Sequence, residues 1–169
     1  DRLIDAVLTD GTQDIILSKR NGKAIRFNEE EVRPMGRTAH GVRGVTLEED
    51  DAVVGMLAVR REASLLVATE NGYGKRTSIS EYRITGRGGK GIISIQTNER
   101  NGRVVAALEV VPEDEVMLIT RNGIVIRTRA SEISEIGRNT QGVRLIQLEA
   151  GDTLIDVARV EENGGEEEA

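Results

Sequence analysis

The sequence has 169 residues, no cysteine, one histidine and a formal net charge of −6. Without cysteine, disulfides and thiol chemistry are excluded, and no apolar run reaches the roughly 18 residues that a membrane span needs. An acidic total argues at first sight against a nucleic-acid partner, and only Phe27, Tyr73 and Tyr82 are aromatic, so the core falls to Val, Ile, Leu and Ala.

Taken in order, the elements read as one unit written three times. Asp1-Arg2-Leu3-Ile4-Asp5 is similar to Asp152-Thr153-Leu154-Ile155-Asp156, so residues 1–12 are expected to be the last strand of a preceding blade. Residues 13–62 form the first unit, with strands Asp14 to Lys19 and Lys23 to Asn28 around Asn21-Gly22. Residues 63–112 form the second, with Ser64 to Thr69 and Tyr73 to Ile79 around Asn71-Gly72. Residues 113–160 form the third: Glu115 to Thr120 and Ile124 to Arg129 around Asn122-Gly123, a short strand from Val143 to Gln147, and a final strand from Thr153 to Val160. The Asn-Gly pairs recur at spacings of 50 and 51 residues. They predict tight hairpin turns whose two central positions take φ > 0. Helix is expected at most as single turns near Glu29 to Val32 and Ser131 to Ile133. Residues 161–169, with Glu161, Glu162, Glu166, Glu167 and Glu168, are expected to be a disordered acidic tail.

A repeat near 50 residues with about four short strands per unit predicts an all-β, propeller-like array. Three blades are too few to close a ring, so the chain is expected to be a piece of a larger array with exposed edge strands. Stacking also redistributes the charge. Residues 19–43, 71–90 and 121–144 carry +4, +4 and +3, and every stretch between them is negative. Charge that oscillates with the repeat sorts onto two faces, and a basic stripe is the footprint of a nucleic-acid surface whatever the total.

Each unit also carries a G-R-x-x-x-G loop: Gly36 to Gly41, Gly86 to Gly91 and Gly137 to Gly142. Arg37, Arg87 and Arg138 share one slot, His40, Lys90 and Gln141 another, and Arg43 and Arg144 a third, where the second unit has Ile93. A turn needs glycine but not arginine; a loop pressed against phosphates uses both. These arginines and Lys90 are therefore candidate phosphate contacts. Arg26, Arg76 and Arg127, four residues after each Asn-Gly turn, either join them or only line the outer strand face. Gly86-Arg87-Gly88-Gly89-Lys90-Gly91 satisfies GxGxxG, but an apolar strand follows where a dinucleotide site needs a helix N-terminus. His40 has no second histidine and no cysteine to work with, so neither a metal site nor a catalytic triad is expected. Tyr73 and Tyr82 are expected to pack between blades. Few aromatics disfavour single-strand binding, which relies on stacking platforms, and leave a duplex held by its phosphates. A protein-interaction scaffold whose charges only confer solubility is the alternative.

Asn-Gly-Tyr-Gly-Lys-Arg-Thr (71–77), Gly-Ile-Ile-Ser-Ile (91–95) and Glu-Ile-Gly-Arg-Asn-Thr-Gln-Gly-Val (135–143) closely resemble the C-terminal DNA-wrapping domain of the DNA gyrase A subunit. The resemblance implies a β-pinwheel, usually six-bladed, of which this chain would hold the last three blades. It implies wrapping of duplex DNA about a basic rim in a bacterial, cytoplasmic and nucleoid-associated enzyme. The partners implied are the rest of the gyrase A polypeptide and, in an A2B2 complex, the gyrase B subunit. ATP and magnesium would be used elsewhere in that complex, so no cofactor and no catalysis are expected in this chain, a non-catalytic part of a type II topoisomerase. The family's signature box, Q-R-R-G-G-(K/R)-G, belongs to its first blade. Thr85 to Gly91 keeps Arg-Gly-Gly-Lys-Gly without the leading Gln-Arg. The tail resembles those that modulate wrapping, and competition with DNA for the rim is expected of it. The related subunit of topoisomerase IV, of the same fold with fewer and more degenerate repeats, is the alternative resemblance.

Overall fold

A computed structural model describes residues 2–60 and 62–161. The expected tail therefore lies, from 162 on, outside the described residues. Eleven strands follow one another: β1 (Asp14–Lys19), β2 (Lys23–Asn28), β3 (Val53–Val59), β4 (Ser64–Thr69), β5 (Tyr73–Ser78), β6 (Ile92–Ile93), β7 (Val104–Val110), β8 (Glu115–Thr120), β9 (Val125–Arg129), β10 (Val143–Arg144) and β11 (Leu154–Arg159). The only helices among the described residues are three single 3-10 turns, at Glu29–Glu31, Ile79–Glu81 and Ala130–Glu132.

The strands form three antiparallel sheets, ordered β3-β1-β2-β6, β10-β5-β4-β7 and β11-β8-β9. Blades are not contiguous in sequence: the second unit lends β6 to the first blade, and the third lends β10 to the second. The third sheet has three strands rather than the expected four, because β9 meets no strand on its outer side among the described residues. Residues 2–13 contain no strand; Val7 packs against the first core cluster, and Thr9, Gly11 and Gln13 donate to the Glu29 carboxylate.

The hairpin turns depart from expectation in one respect. Only the glycines have positive φ, +91° at Gly22, +87° at Gly72 and +86° at Gly123; the asparagines do not. Gly22 N donates to Lys19 O at 3.1 Å, and Gly72 and Gly123 repeat this bond to Thr69 and Thr120. Each is a three-residue loop, a type I turn closed by a left-handed glycine, which matches strand twist as well as a two-residue turn does.

Strand alternation decides where the core sits. On β1, Ile15 enters one apolar cluster and Ile16 the next; on β4, Leu65 and Val67 enter one, Leu66 and Ala68 the next. Side chains one apart leave opposite faces of a strand, so each sheet contributes to two cores and the apolar layers lie between blades. β4, with a blade on both sides, is buried at all six positions. β8 buries every second residue, and β9 buries none. Strands β3, β7 and β11 line the inner side of the array, around a groove of mixed charge that includes Arg60, Glu113, Arg129 and Arg159.

Candidate nucleic-acid interface

The strand-lending segments locate the outer edge of each blade. Ser94 N and Ile95 N donate to Gly22 O at 2.8 and 3.1 Å, and Leu145 N and Ile146 N to Gly72 O at 2.7 and 3.3 Å. The second and third G-R-x-x-x-G loops thus lie over the preceding repeat, next to its hairpin turn. Arg87 Nη1 donates to Arg43 O at 2.7 Å, and its Nε to Glu31 O at 3.2 Å. Arg138 Nη1 donates to Ile93 O at 2.6 Å. Arg43 and Ile93 hold the same slot, so both loop arginines fasten to the same place in successive repeats. Their backbone amides dock equivalently, on the carboxylates of Glu31 and Glu81. No repeat before that of Arg37 lies among the described residues; Arg37 is exposed and has no partner there.

Arg43 and Lys90 are exposed, and their side chains make no hydrogen bond among the described residues. Arg144 is exposed and donates through Nη2 to the Tyr73 hydroxyl at 3.1 Å. The remaining set divides. Arg26 bonds Asp14 at 2.8 Å and gives Nη1 to Ile79 O and Tyr82 O of the next repeat, at 3.1 and 3.2 Å. Arg76 is 6% exposed, with Nε on Ile133 O at 2.8 Å and Nη1 on Glu135 at 3.4 Å. Both are inter-blade clamps turned away from solvent, which removes them from the candidate contacts. No repeat after that of Arg127 lies among the described residues; Arg127 is exposed and pairs with Glu115.

Tyr82 packs between blades as expected, 1% exposed with its hydroxyl 2.6 Å from Ser94 Oγ; burial pushes its phenol up to about 12. Tyr73 does not. It stands half-buried at the outer edge, with Arg100 4.3 Å from its ring centroid and Arg144 5.6 Å. The hydrogen bond from Arg144 holds its phenol below the ordinary range. Arg100 was not among the sequence candidates, because Asp50 and Gly151 occupy its column in the other repeats. Lys75 was also missed. It is fully buried, and its Nζ donates to Gly137 O at 2.6 Å, to Arg138 O, and to Thr140 Oγ1 at 3.0 Å. It fixes the loop that carries Arg138, and burial lowers it to about 8. Its column holds Ile25 and Ile126 elsewhere, so no period signals it. Acidic residues also stand at this edge: besides Glu31 and Glu81, Glu48 bonds Lys23 at 3.3 Å, a contact that lowers its carboxyl.

The described residues hold no group of His, Cys, Asp and Glu suited to a metal ion and no helix long and apolar enough to cross a membrane. What the edge offers is separated guanidinium and ammonium groups on rigid strands and glycine loops, a surface for a polyanion rather than a pocket for a small molecule.

The family model described as "DNA gyrase C-terminal domain, beta-propeller" matches residues 20–60, 63–110 and 114–161. The DNA gyrase A subunit of Salmonella typhimurium is 48% identical over 168 residues, 99% of this chain and 19% of that protein. The DNA gyrase A subunit of Mycolicibacterium smegmatis is 48% identical over 171 residues, 100% of this chain and 20% of that one. Among solved structures, the DNA gyrase A C-terminal domain superposes with a TM-score of 0.82 at 34% identity, covering 88% of this chain and 50% of that one. The C-terminal domain of DNA topoisomerase IV superposes at 0.87 with 28% identity, covering 93% and 49%. The chain thus spans about a fifth of the length of the curated relatives it matches.

Proposed function

The chain belongs to the family of DNA gyrase C-terminal domains, and on that premise we propose that it binds duplex DNA, without sequence preference, along the outer edge of its blades. The observation that carries this reading is the recurrence of exposed cations in the glycine loops and just after them, at Arg37, Arg43, Lys90 and Arg144. Their charges are free for an anion while the inner arginines are used up between blades. The described residues hold no helix beyond single 3-10 turns that could enter a groove, so contact in this reading is with the phosphate backbone. A curved row of such contacts bends the duplex, at a cost of order 1–6 kcal/mol for about 20–30 base pairs, offset by the added ion contacts. In this reading the chain is the wrapping, non-catalytic part of a gyrase A polypeptide. It works with the remainder of that polypeptide and with the B subunit, where the complete enzyme uses ATP to introduce negative supercoils.

The test is binding of a short duplex across a salt series. Each phosphate contact steepens the plot of log affinity against log salt by about 0.9. A slope of several units supports the reading. No binding at low salt would overturn it in favour of a protein-interaction scaffold.

A further inference from the structure

Blade two carries a cationic cluster that its neighbours lack. Resting on the duplex-binding reading, we propose that Tyr73, Arg100 and Arg144 form a built seat for one stretch of duplex phosphates. Arg100 is held by groups of two repeats. Its Nε donates to Asn101 Oδ1 at 3.0 Å, and its Nη2 to Gln141 O and Gly142 O at 3.2 Å each. Asn101 is itself fully buried, its Nδ2 spanning Gln96 O and Gln141 O at 2.8 and 2.7 Å. Arg144 is steered by the Tyr73 hydroxyl, and both guanidinium groups lie against the same ring. Arg100 Nη1 and Arg144 Nε and Nη1 have no acceptor among the described residues, and no carboxylate there contacts either arginine. The Tyr73 hydroxyl accepts from Arg144 and keeps its own proton to donate. Two like charges held about one ring are unfavourable until an anion arrives, a local conflict of the kind that marks a binding site.

The equivalent places in the other blades are disarmed. In blade one, Lys23 replaces Tyr73 but is paired with Glu48, and Asp50 replaces Arg100. In blade three, Ile124 and Gly151 stand there. The ligand is a duplex rather than a single strand, because Arg100 already covers a face of the ring and a stacked base would have to displace it.

The experiment measures binding of a duplex of about 30 base pairs over a salt series, for the unaltered chain and for Arg100→Gln with Arg144→Gln. The double variant should flatten the log–log slope by about 2, one unit per lost phosphate contact. Arg159→Gln, on the inner side of the array, should leave the slope unchanged. Thermal unfolding checks that the variants are folded; should the pair unfold, the two single variants, each flattening the slope by about 1, carry the test. A folded variant with the parental slope overturns the seat while leaving duplex binding intact. Failure of the unaltered chain to bind duplex overturns both. Binding of a single strand as tight as duplex, and lost with Tyr73→Leu, would show a stacking platform and also overturn the proposal.

Discussion

A Cβ placed on Gly22 would stand 2.3 Å from the carbonyl oxygen of Ile95, one repeat further along. At Gly72 the corresponding distance, to Ile146 O, is 2.7 Å, while at Gly123 nothing lies within 4 Å. The three share nearly the same positive φ, so the backbone penalty for alanine is common to all, of order 1–2 kcal/mol. Only at the first two must the next repeat also back away from the hairpin, breaking the amide bonds to Gly22 O and Gly72 O. Gly22→Ala and Gly72→Ala should therefore cost about 3 kcal/mol or more, and Gly123→Ala about 1. Denaturant unfolding of the three variants measures this directly. Equal losses would mean that turn conformation, and not blade approach, sets the requirement.

The arginines four residues beyond each turn should split in the same way. Arg76 supplies a charged donor to a buried carbonyl of the next repeat, and Arg26 does the same beside Asp14. Replacing Arg76 by methionine leaves Ile133 O without that donor and should cost about 2–4 kcal/mol. Arg127, with a side chain 61% exposed, makes only a surface pair with Glu115, so Arg127→Met should cost less than about 0.5 kcal/mol. Thermal melts of the two variants rank them. A neutral Arg76→Met would count against the inter-blade clamp.

The repeats were legible because each unit spells its own hairpin: apolar runs, an Asn-Gly pair and glycine loops at matching offsets gave the hairpin strands nearly to the residue, while the strand expected within residues 1–12 does not form and that expected from Val143 to Gln147 spans only Val143–Arg144. Strand lending was not legible in the residues themselves, since Ile92–Ile93 and Val143–Arg144 are too short to show period 2, and their partners are set by tertiary docking. The candidate site was read by column. Arg87 and Arg138 share a column and do repeat one contact, to a carbonyl of the preceding repeat. Column position does not separate Arg26 and Arg76, which bond to a following repeat, from Arg127, for which none lies among the described residues. It also missed Arg100 and Lys75, which act in one blade only. Periodicity reports what the scaffold needs; departures from it mark residues with a local task.

Two buried groups predict an unusual alkaline profile. Lys75 is lowered to about 8 by burial, against 10.5 when free. Between those values the unfolded chain binds more protons than the folded one, so stability rises with pH, with a slope of up to about 1.4 kcal/mol per pH unit. Burial raises Tyr82 to about 12 from 10.0. From pH 10 to 12 the folded chain therefore keeps a proton that the unfolded chain loses, and stability falls. These two groups place a maximum near pH 10. Lys75→Met should abolish the rise, and Tyr82→Phe should soften the fall. Unfolding free energies from pH 7.5 to 11.5 decide it, and a rise that survives Lys75→Met would assign it to another group.

Arg37 and its repeats at Arg87 and Arg138 share a column but differ in what they already hold. Arg87 and Arg138 spend donors on carbonyls of the preceding repeat, and Arg37 spends none among the described residues. Arg37→Gln should therefore flatten the salt dependence of duplex binding by about 1 without moving the unfolding midpoint. Arg87→Gln and Arg138→Gln lose a charged hydrogen bond between repeats and should cost about 1–3 kcal/mol of stability. Their effect on the salt slope should match that of Arg37→Gln only if the guanidinium groups still face the DNA through their remaining N–H donors. Measuring both quantities on each variant separates fastening from binding. A stability loss with no change in slope would make Arg87 and Arg138 pins of the fold, leaving the phosphates to Arg37, Arg43, Lys90, Arg100 and Arg144.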